Sequence, residues 1–245
     1  MKIAFLASPK PTVQQMVEYL TMWYGQCSIC DADYVVTIGG DGTTLKALHA
    51  VLPFSEKPVF SMRLGGSIGF LGNRFDLANL RDRLKSARKV FIRALKAEVQ
   101  DVSGRGATIF GINEIVLTRQ RLQAAKLSVT LNGTKQPIDV IGDGLLIATP
   151  IGSTGYNRSA GGSILPIDSS LLSLTGLAVH HACDWANAVL SDDTLIEVAV
   201  IEPEHRPVRL ETNMQEITNI RLVKVSCGAA PILTLLLESR ERRSA

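Results

Sequence analysis

The chain has 245 residues, of which 20 % are charged and 46 % hydrophobic, with a formal net charge of +3. That length suits one large domain or two modest ones and excludes a small disulfide-stapled scaffold, while the composition is that of a chain able to bury a core rather than stay disordered. Basic residues are scattered except in the Arg240, Arg242, Arg243 tail, where Glu238 and Glu241 are interspersed, and aromatics are only 5 %. The pattern therefore speaks against a nucleic-acid platform.

No apolar run approaches the roughly 20 residues that cross a bilayer. Pro9, Lys10 and Pro11 interrupt the first apolar stretch before a signal-peptide core forms, which predicts no export, no membrane contact and a cytoplasmic location. Of Cys27, Cys30, Cys183 and Cys227 only the first two are close, so no second pair completes a zinc site. The Cys27 and Cys30 spacing also occurs in redox pairs, but here it follows the end of a predicted helix rather than opening one.

In chain order, Ile3 to Ala7 is a short apolar run suited to a strand buried on both faces. A helix is predicted next, from Thr12 as cap to Gly25 as stop, with Val13, Met16, Val17, Leu20 and Trp23 at helical spacing. Residues 34–38 read as a second strand, 39–42 as a turn and 43–51 as a helix stopped by Pro53. A third strand is expected over 59–62, and Asp76 is placed to cap a helix that buries Leu77, Leu80 and Leu84. Such alternation predicts an α/β N-terminal domain, residues 1–92, with a parallel sheet.

Beyond residue 92 the pattern changes to hairpins. Extended stretches are expected over 94–102, 108–118, 127–131, 138–141, 145–148, 195–201, 208–210, 217–225 and 232–237, with Asn132-Gly133 as a tight-hairpin signal. The expectation is a mainly β domain over 93–230, and a segment 231–245 that packs back on the first domain.

Gly39-Gly40-Asp41-Gly42-Thr43 lies where an apolar strand gives way to a helix. Glycines there admit a ligand close to the backbone, and the first N–H groups of the helix face negative charge, as a phosphate site requires. A carboxylate among such donors repels phosphate unless it holds a metal or accepts a proton from an attacking hydroxyl, which makes Asp41 the first candidate base. A tight turn in which Asp41 only caps the helix accounts for the same residues. The ending is neither a Walker loop nor a Rossmann fingerprint.

A second cluster runs from Gly142-Asp143-Gly144 through Thr149-Pro150 and Ser153-Thr154-Gly155-Tyr156 to Ser159 and Gly161-Gly162. Hydroxyls and free amides can grip sugar and base edges, and Tyr156 offers a face for a purine; an ordinary surface loop has similar composition. Asn113-Glu114 interrupts an apolar strand pattern, where a buried Asn or Glu needs a partner, structural or ligand.

Taken together and in order, Gly39-Gly40-Asp41-Gly42-Thr43, Gly69-Phe70-Leu71, Asn113-Glu114, Asp143-Gly144 and the stretch from Thr149-Pro150 to Gly161-Gly162 resemble the NAD kinases, over nearly the whole chain. Those enzymes phosphorylate the 2′-hydroxyl on the adenosine side of NAD to give NADP, and the compact start is similar to the shorter bacterial members. The resemblance implies Asp41 as the base; Gly39, Gly40 and Thr43 at phosphate; Gly42, Phe70 and Gly155 lining the NAD pocket; Asn113, Thr154, Tyr156 and Ser159 on the adenosine part; Asp143 on the ribose of the nicotinamide side; and Glu114 in the same pocket, beside the phosphate donor or metal. It also implies ATP as donor, Mg²⁺ or another divalent cation as cofactor, no nucleic-acid or membrane partner, and a homo-oligomer, dimer or tetramer. The active cleft is expected to draw on both domains.

The sequence departs from the family's pattern at Arg63-Leu64-Gly65-Gly66-Ser67, at Gly155 in place of the usual Ala, at Cys183-Asp184-Trp185 where two arginines precede the Trp, and at Asn213-Met214 where an Asp is common. Two other readings share the first turn or the pocket: a lipid or sugar kinase, which needs an amphipathic docking surface or a different acceptor site, and a sensor that binds NAD without transferring phosphate.

Overall fold

The computed structural model describes residues 1–64, 71–180, 187–228 and 230–238. These divide into two compact units, Met1–Ile92 with the segment from Pro231 onward, and Arg93–Ala230.

The first unit opens with β1 (Ile3–Ala7), α1 (Pro11–Tyr24), β2 (Tyr34–Ile38), α2 (Asp41–Ala50), β3 (Val59–Arg63), β4 (Asn73–Arg74), α3 (Leu80–Ser86) and β5 (Arg88–Arg93). Strands β1, β2 and β3 pair in parallel, and β4 runs parallel to the end of β3. The last strand of the chain, Ile232–Leu237, lies between β3 and β5 and is parallel to β3. Asn73 joins two of these strands: its Nδ2 donates to Leu236 O at 2.9 Å and its Oδ1 accepts the Glu238 N–H at 2.8 Å. Ile3, Phe5, Val36, Ile38, Phe60 and Met62 pack with Leu20 of α1 and Leu80 and Leu84 of α3, so the apolar runs form strands because helices cover the sheet.

Three helix starts differ from the sequence expectation. Helix α1 begins at Pro11, whose missing N–H costs nothing in a first turn, and not behind a Thr12 cap. Helix α2 begins at Asp41, two residues early, because Gly40 occupies the N-cap. Helix α3 is preceded by Asn79 at φ 53°, while Asp76 accepts the Ala78 N–H in the turn before it. Cys27 and Cys30 are free thiols. No helix among the described residues is long and apolar enough to cross a membrane.

The second unit is a pair of sheets. Its elements are β6 (Leu95–Asp101), β7 (Gly106–Gly111), β8 (Glu114–Arg119), β9 (Ala125–Leu131), β10 (Ile138–Gly142), β11 (Gly144–Ala148), α4 (Tyr156–Ser159), β12 (Leu171–Leu177), β13 (Asn187–Ser191), β14 (Ile196–Val200), β15 (Val208–Glu211), β16 (Glu216–Ile217) and β17 (Ile220–Ser226); Ile232–Leu237 is β18. One sheet has the order β10-β9-β14-β17-β6-β7 and the other β13-β12-β11-β8-β15-β16. Alternate residues of both, among them Leu95, Ile109, Leu127, Val198 and Val223 from the first and Ile115, Leu117, Ile147, Leu174 and Leu210 from the second, fill one core.

The outer face of the second sheet is covered as well. Val116, Leu146, Ala148 and Leu177 form a further apolar cluster against Ala160, so residues 149–162 fold back over β11 and β8. This double coverage is why the β11 run is apolar throughout, Gly144–Ala148 being buried at every position. The Asn132-Gly133 signal is present in the backbone, at φ 50° and 69°. The connection is nevertheless longer than a two-residue hairpin, since β10 starts only at Ile138. Asn132 instead accepts the Leu195 N–H through Oδ1 at 2.8 Å, tying the turn to the start of β14.

Candidate functional site

In the first unit the Gly-Gly-Asp-Gly turn is shaped by packing before any ligand is considered. A Cβ on Gly39 would lie 2.4 Å from Thr43 Oγ1, so only glycine fits there. The Gly39 N–H donates to Met62 O at 3.0 Å, prolonging the pairing of β2 with β3, and the Gly40 carbonyl accepts from Thr43 and Thr44. A buried hydroxyl pair, Thr44 Oγ1 and Ser61 Oγ at 2.6 Å, anchors α2 to β3. Asp41 is thus the first helical residue, not the cap, and its Oδ1 accepts the Leu71 N–H at 3.3 Å. Gly42, by contrast, faces open space. A helix start beside a half-buried carboxylate can hold a phosphate on its first N–H groups and take a proton next to it. Phe70 lies outside the described residues.

In the second unit the candidate residues sit where the chain passes from one sheet to the other. Gly111, Ile112 and Asn113 turn β7 into β8, and Gly142, Asp143 and Gly144 turn β10 into β11. Both corners are crowded. A Cβ on Gly144 would come 1.9 Å from Leu117 O, one on Gly142 2.8 Å from Leu177 O, and one on Gly111 2.7 Å from Glu114 O. Glycines therefore flank Asp143 because two strands meet there, and its main chain is held on both sides: Asp143 N–H to Leu177 O at 2.8 Å, and Arg119 N–H to Asp143 O at 2.9 Å.

Asn113 is clamped by its backbone. Its carbonyl accepts the Thr149 N–H at 2.9 Å and the Thr149 hydroxyl at 3.1 Å, and it packs so closely on Gly152 that a Cβ there would lie 2.1 Å away. The side chain is left over: Asn113 Oδ1 is buried without a hydrogen-bond partner, and so is Glu114 Oε2. Glu114 pairs with Ala148 and shares the outer face of its sheet with Val116 and Thr118. Two adjacent buried acceptors lacking donors are an arrangement that a bound ligand's N–H and O–H groups would satisfy. Burial pushes the Glu114 carboxyl up to about 7.

Residues 149–162 are pinned from inside by Asn157, which is fully buried. Its Nδ2 donates to Ser163 O at 2.9 Å and to Ser153 O at 3.3 Å, its Oδ1 accepts the Thr175 hydroxyl at 2.7 Å, and its carbonyl accepts the Gly162 N–H. Ser153 adds bonds to Pro150 O and from Leu165 N–H. The neighbours of Asn157 point outward: Tyr156 is 47 % exposed, and Gly155, Arg158 and Ser159 are exposed. Gly155 meets only Gly152 O, at 3.3 Å from an added Cβ, so the usual Ala would nearly fit.

Tyr156 and Asp143 line one concavity of about 690 Å³, together with Thr118, Arg119, Arg121 and Arg209 among others. That volume is within the range of small-molecule sites. The structure thus brings Asp143 and Tyr156 together, and places Asn113 and Glu114 at the root of the loop that carries Thr154, Tyr156 and Ser159.

Comparison with known proteins gives a family match in each of the two units. Residues 8–89 match the ATP-NAD kinase N-terminal domain and residues 112–219 the ATP-NAD kinase C-terminal domain. The chain belongs to the NAD kinase family. It is 41 % identical over 239 residues to an NAD kinase of Xanthomonas campestris pv. campestris and 37 % identical over 238 residues to that of Hyphomonas neptunium, in each case over 97 % of this chain and 92 % of the relative. Its fold is similar to that of yeast NADH kinase complexed with NADH, with a TM-score of 0.81 at 19 % identity, over 98 % of this chain and 84 % of that one. An NAD kinase from Archaeoglobus fulgidus in complex with ATP gives 0.71 at 20 % identity, over 95 % and 93 %.

Of the positions expected to depart from the family's pattern, Arg63, Leu64, Gly155, Asn213 and Met214 lie among the described residues. Asn213 and Met214 form the tip between β15 and β16, where Thr212 Oγ1 accepts the Met214 and Gln215 N–H groups. Residues 65–70 and 183–185 lie outside the described residues. Asn157, Arg119 and Arg209 carry no distinctive sequence signal: a lone Asn in a glycine-rich loop, an arginine at the end of β8 and one within β15.

The Glu114 carboxyl has a consequence for stability. Because the folded protein holds this proton more tightly than the unfolded chain, the group destabilises the fold increasingly as pH rises from 4.5 to about 7 and costs a constant amount above that. Glu114→Gln should therefore leave the unfolding free energy unchanged at pH 4 and raise it at pH 8 by an amount on the order of 2–3 kcal/mol, read by denaturant melts at the two pH values. Equal shifts at both pH values would place the carboxylate in contact with solvent.

Proposed function

We propose that the chain is an NAD kinase that transfers the terminal phosphoryl group of ATP to the 2′-hydroxyl of the adenosine ribose of NAD, giving NADP. The observation that carries the reading is Asp41 as first residue of α2, a carboxylate fixed at a helix start that follows a parallel strand. Family membership in both units supports it.

In this reading the ribose oxygen attacks the terminal phosphorus of ATP as Asp41 accepts its proton; the bond to the bridging oxygen breaks and ADP leaves. The α2 N–H groups with Gly39, Gly40 and Thr43 orient the donor's phosphates, Gly42, Phe70 and Gly155 shape the pocket, and Asn113, Thr154, Tyr156 and Ser159 hold the adenosine. Asp143 receives a hydroxyl of the nicotinamide-side ribose, and Glu114, protonated in part at neutral pH, faces the same ligand. Asp41 beside a phosphate site fits Mg²⁺, which is held through one or two carboxylates plus substrate phosphates and would neutralise charge on the transferring group. A homo-oligomer, dimer or tetramer, and a cytoplasmic location complete the reading.

Incubation of the pure protein with NAD, ATP and Mg²⁺ should yield NADP in step with ADP. Binding of NAD without NADP would make the chain a sensor, and phosphorylation of a lipid or sugar in its place would reassign the acceptor. Tyr156→Ala should weaken NAD binding by roughly 1–3 kcal/mol if the ring stacks on the adenine. Calorimetry showing unchanged affinity in a folded variant would make Tyr156 a packing residue.

A further inference from the structure

Arg119 is the last residue of β8, and its side chain closes on two things at once. Nε donates to Asp143 Oδ1 at 2.6 Å, while Nη1 donates to the carbonyls of Arg121 at 3.0 Å and Leu122 at 2.5 Å. One planar guanidinium thus holds a carboxylate and a bend of backbone in a fixed relation, which a flexible ammonium cannot do. The bend carries Arg121 and Leu122, and these line the same concavity as Asp143 and Tyr156. Asp143 remains half-exposed, at 49 %, against 28 % for Arg119.

The bridge therefore holds one oxygen of Asp143 from the side and leaves Oδ2 for an incoming hydroxyl. It also compensates the charge of a carboxylate that would otherwise repel a ligand bearing phosphates. We propose that Arg119 is a positioning residue for the dinucleotide: it sets the Asp143 carboxylate and the wall formed by residues 120–122, and so governs affinity for NAD without acting on the phosphoryl-transfer step. The inference rests on the reading of Asp143 as a ribose-binding group.

The test is a double-mutant cycle of Arg119→Gln and Asp143→Asn, read by steady-state kinetics, with Arg119→Lys alongside. Arg119→Gln should raise KM for NAD about 10- to 100-fold, with kcat within about threefold and KM for ATP unchanged. Arg119→Lys, which keeps the charge and one donor, should recover part of the loss. The double variant should lose less NAD affinity than the product of the two single losses, since both changes break the same bridge while only Arg119→Gln also frees residues 120–122. If Arg119→Gln unfolds, Arg119→Lys must still shift KM for NAD alone.

Effects that multiply, or that move kcat and both KM values together, would overturn the proposal. The same cycle read by NAD calorimetry without ATP separates it from the kinase reading. Coupled NAD binding with no NADP formed removes the kinase reading and leaves the bridge, whereas NADP formation with independent effects removes the bridge alone.

Discussion

Asp41→Asn should fold, bind NAD with an affinity close to that of the parent, and lose about 10²- to 10⁴-fold in kcat, the range typical of a general acid–base group. The amide has the shape of the carboxylate and keeps an oxygen that can accept the Leu71 N–H, so the start of α2 is preserved. What it lacks is a basic lone pair for the ribose proton. The substitution removes a negative charge beside the donor's phosphates and also a carboxylate that fits Mg²⁺, opposite effects on ATP affinity, so NAD affinity is the reference that should stay level while turnover falls. That opposition between binding and rate separates a catalytic loss from a damaged turn, in which both would decline. Single-turnover measurements with calorimetry on the same preparation decide it. A variant turning over at a near-parental rate would take Asp41 out of the base role.

The first unit was legible because its chemistry and its architecture coincide. Strand β2 is a mostly apolar run interrupted only by Thr37, the glycines follow it at once, and a strand-to-helix junction is where phosphate-binding turns occur. The packing around Gly39 could not be read, because the atom it must avoid, Thr43 Oγ1, is brought there by the helix itself. Helix starts were misplaced for a related reason: Gly40 and Pro11 set them through the backbone, and side-chain capping rules look elsewhere.

The second unit was legible in its hairpins and not in β12 and β13, which fall where the sequence predicts no strand. In β12, Ser173 and Thr175 are fully buried between Leu172, Leu174 and Leu177, so the alternation of apolar and polar residues does not mark an inside and an outside. It marks two different insides, the common core and the underside of residues 149–162. The corner glycines are a clearer case of hidden cause. Gly142 and Gly144 read as punctuation around a functional Asp, whereas the structure has them as the only residues that let β10 leave one sheet and β11 enter the other. A site placed at such a corner inherits rigidity from the sandwich, which suits groups that must be held in place before a ligand arrives.

The same logic makes Asn157→Ala the most disruptive substitution expected in the second unit outside the corners. Asn157 is 0 % exposed and supplies bonds on three sides, to Ser153 O, Ser163 O and Thr175 Oγ1. Alanine would strand the Ser153 carbonyl and the Thr175 hydroxyl in a dry interior, at about 1–3 kcal/mol for each buried group left unsatisfied, and free the more exposed Ser163 carbonyl to water. The void left by the amide would add to the loss. Summed over the partners and the void, the expected destabilisation is about 3–5 kcal/mol, the size of effect that breaking a buried network produces. The damage should be local first. Amides of residues 149–162, including the Gly162 N–H on the Asn157 carbonyl, should exchange faster than those of β11 and β8 beneath them. NAD affinity should fall at least as far as in Tyr156→Ala, because Tyr156, Ser159 and Thr154 lose their common anchor while Asp41 is untouched. Asn157→Asp keeps the shape and the Thr175 bond but sets a buried carboxylate against the Ser153 and Ser163 carbonyls, so it should be at least as destabilising as Ala at neutral pH and recover stability as the pH falls. A variant with unchanged exchange in residues 149–162 and parental NAD affinity would show that the loop is held by Ser153 and its glycines, with Asn157 filling space.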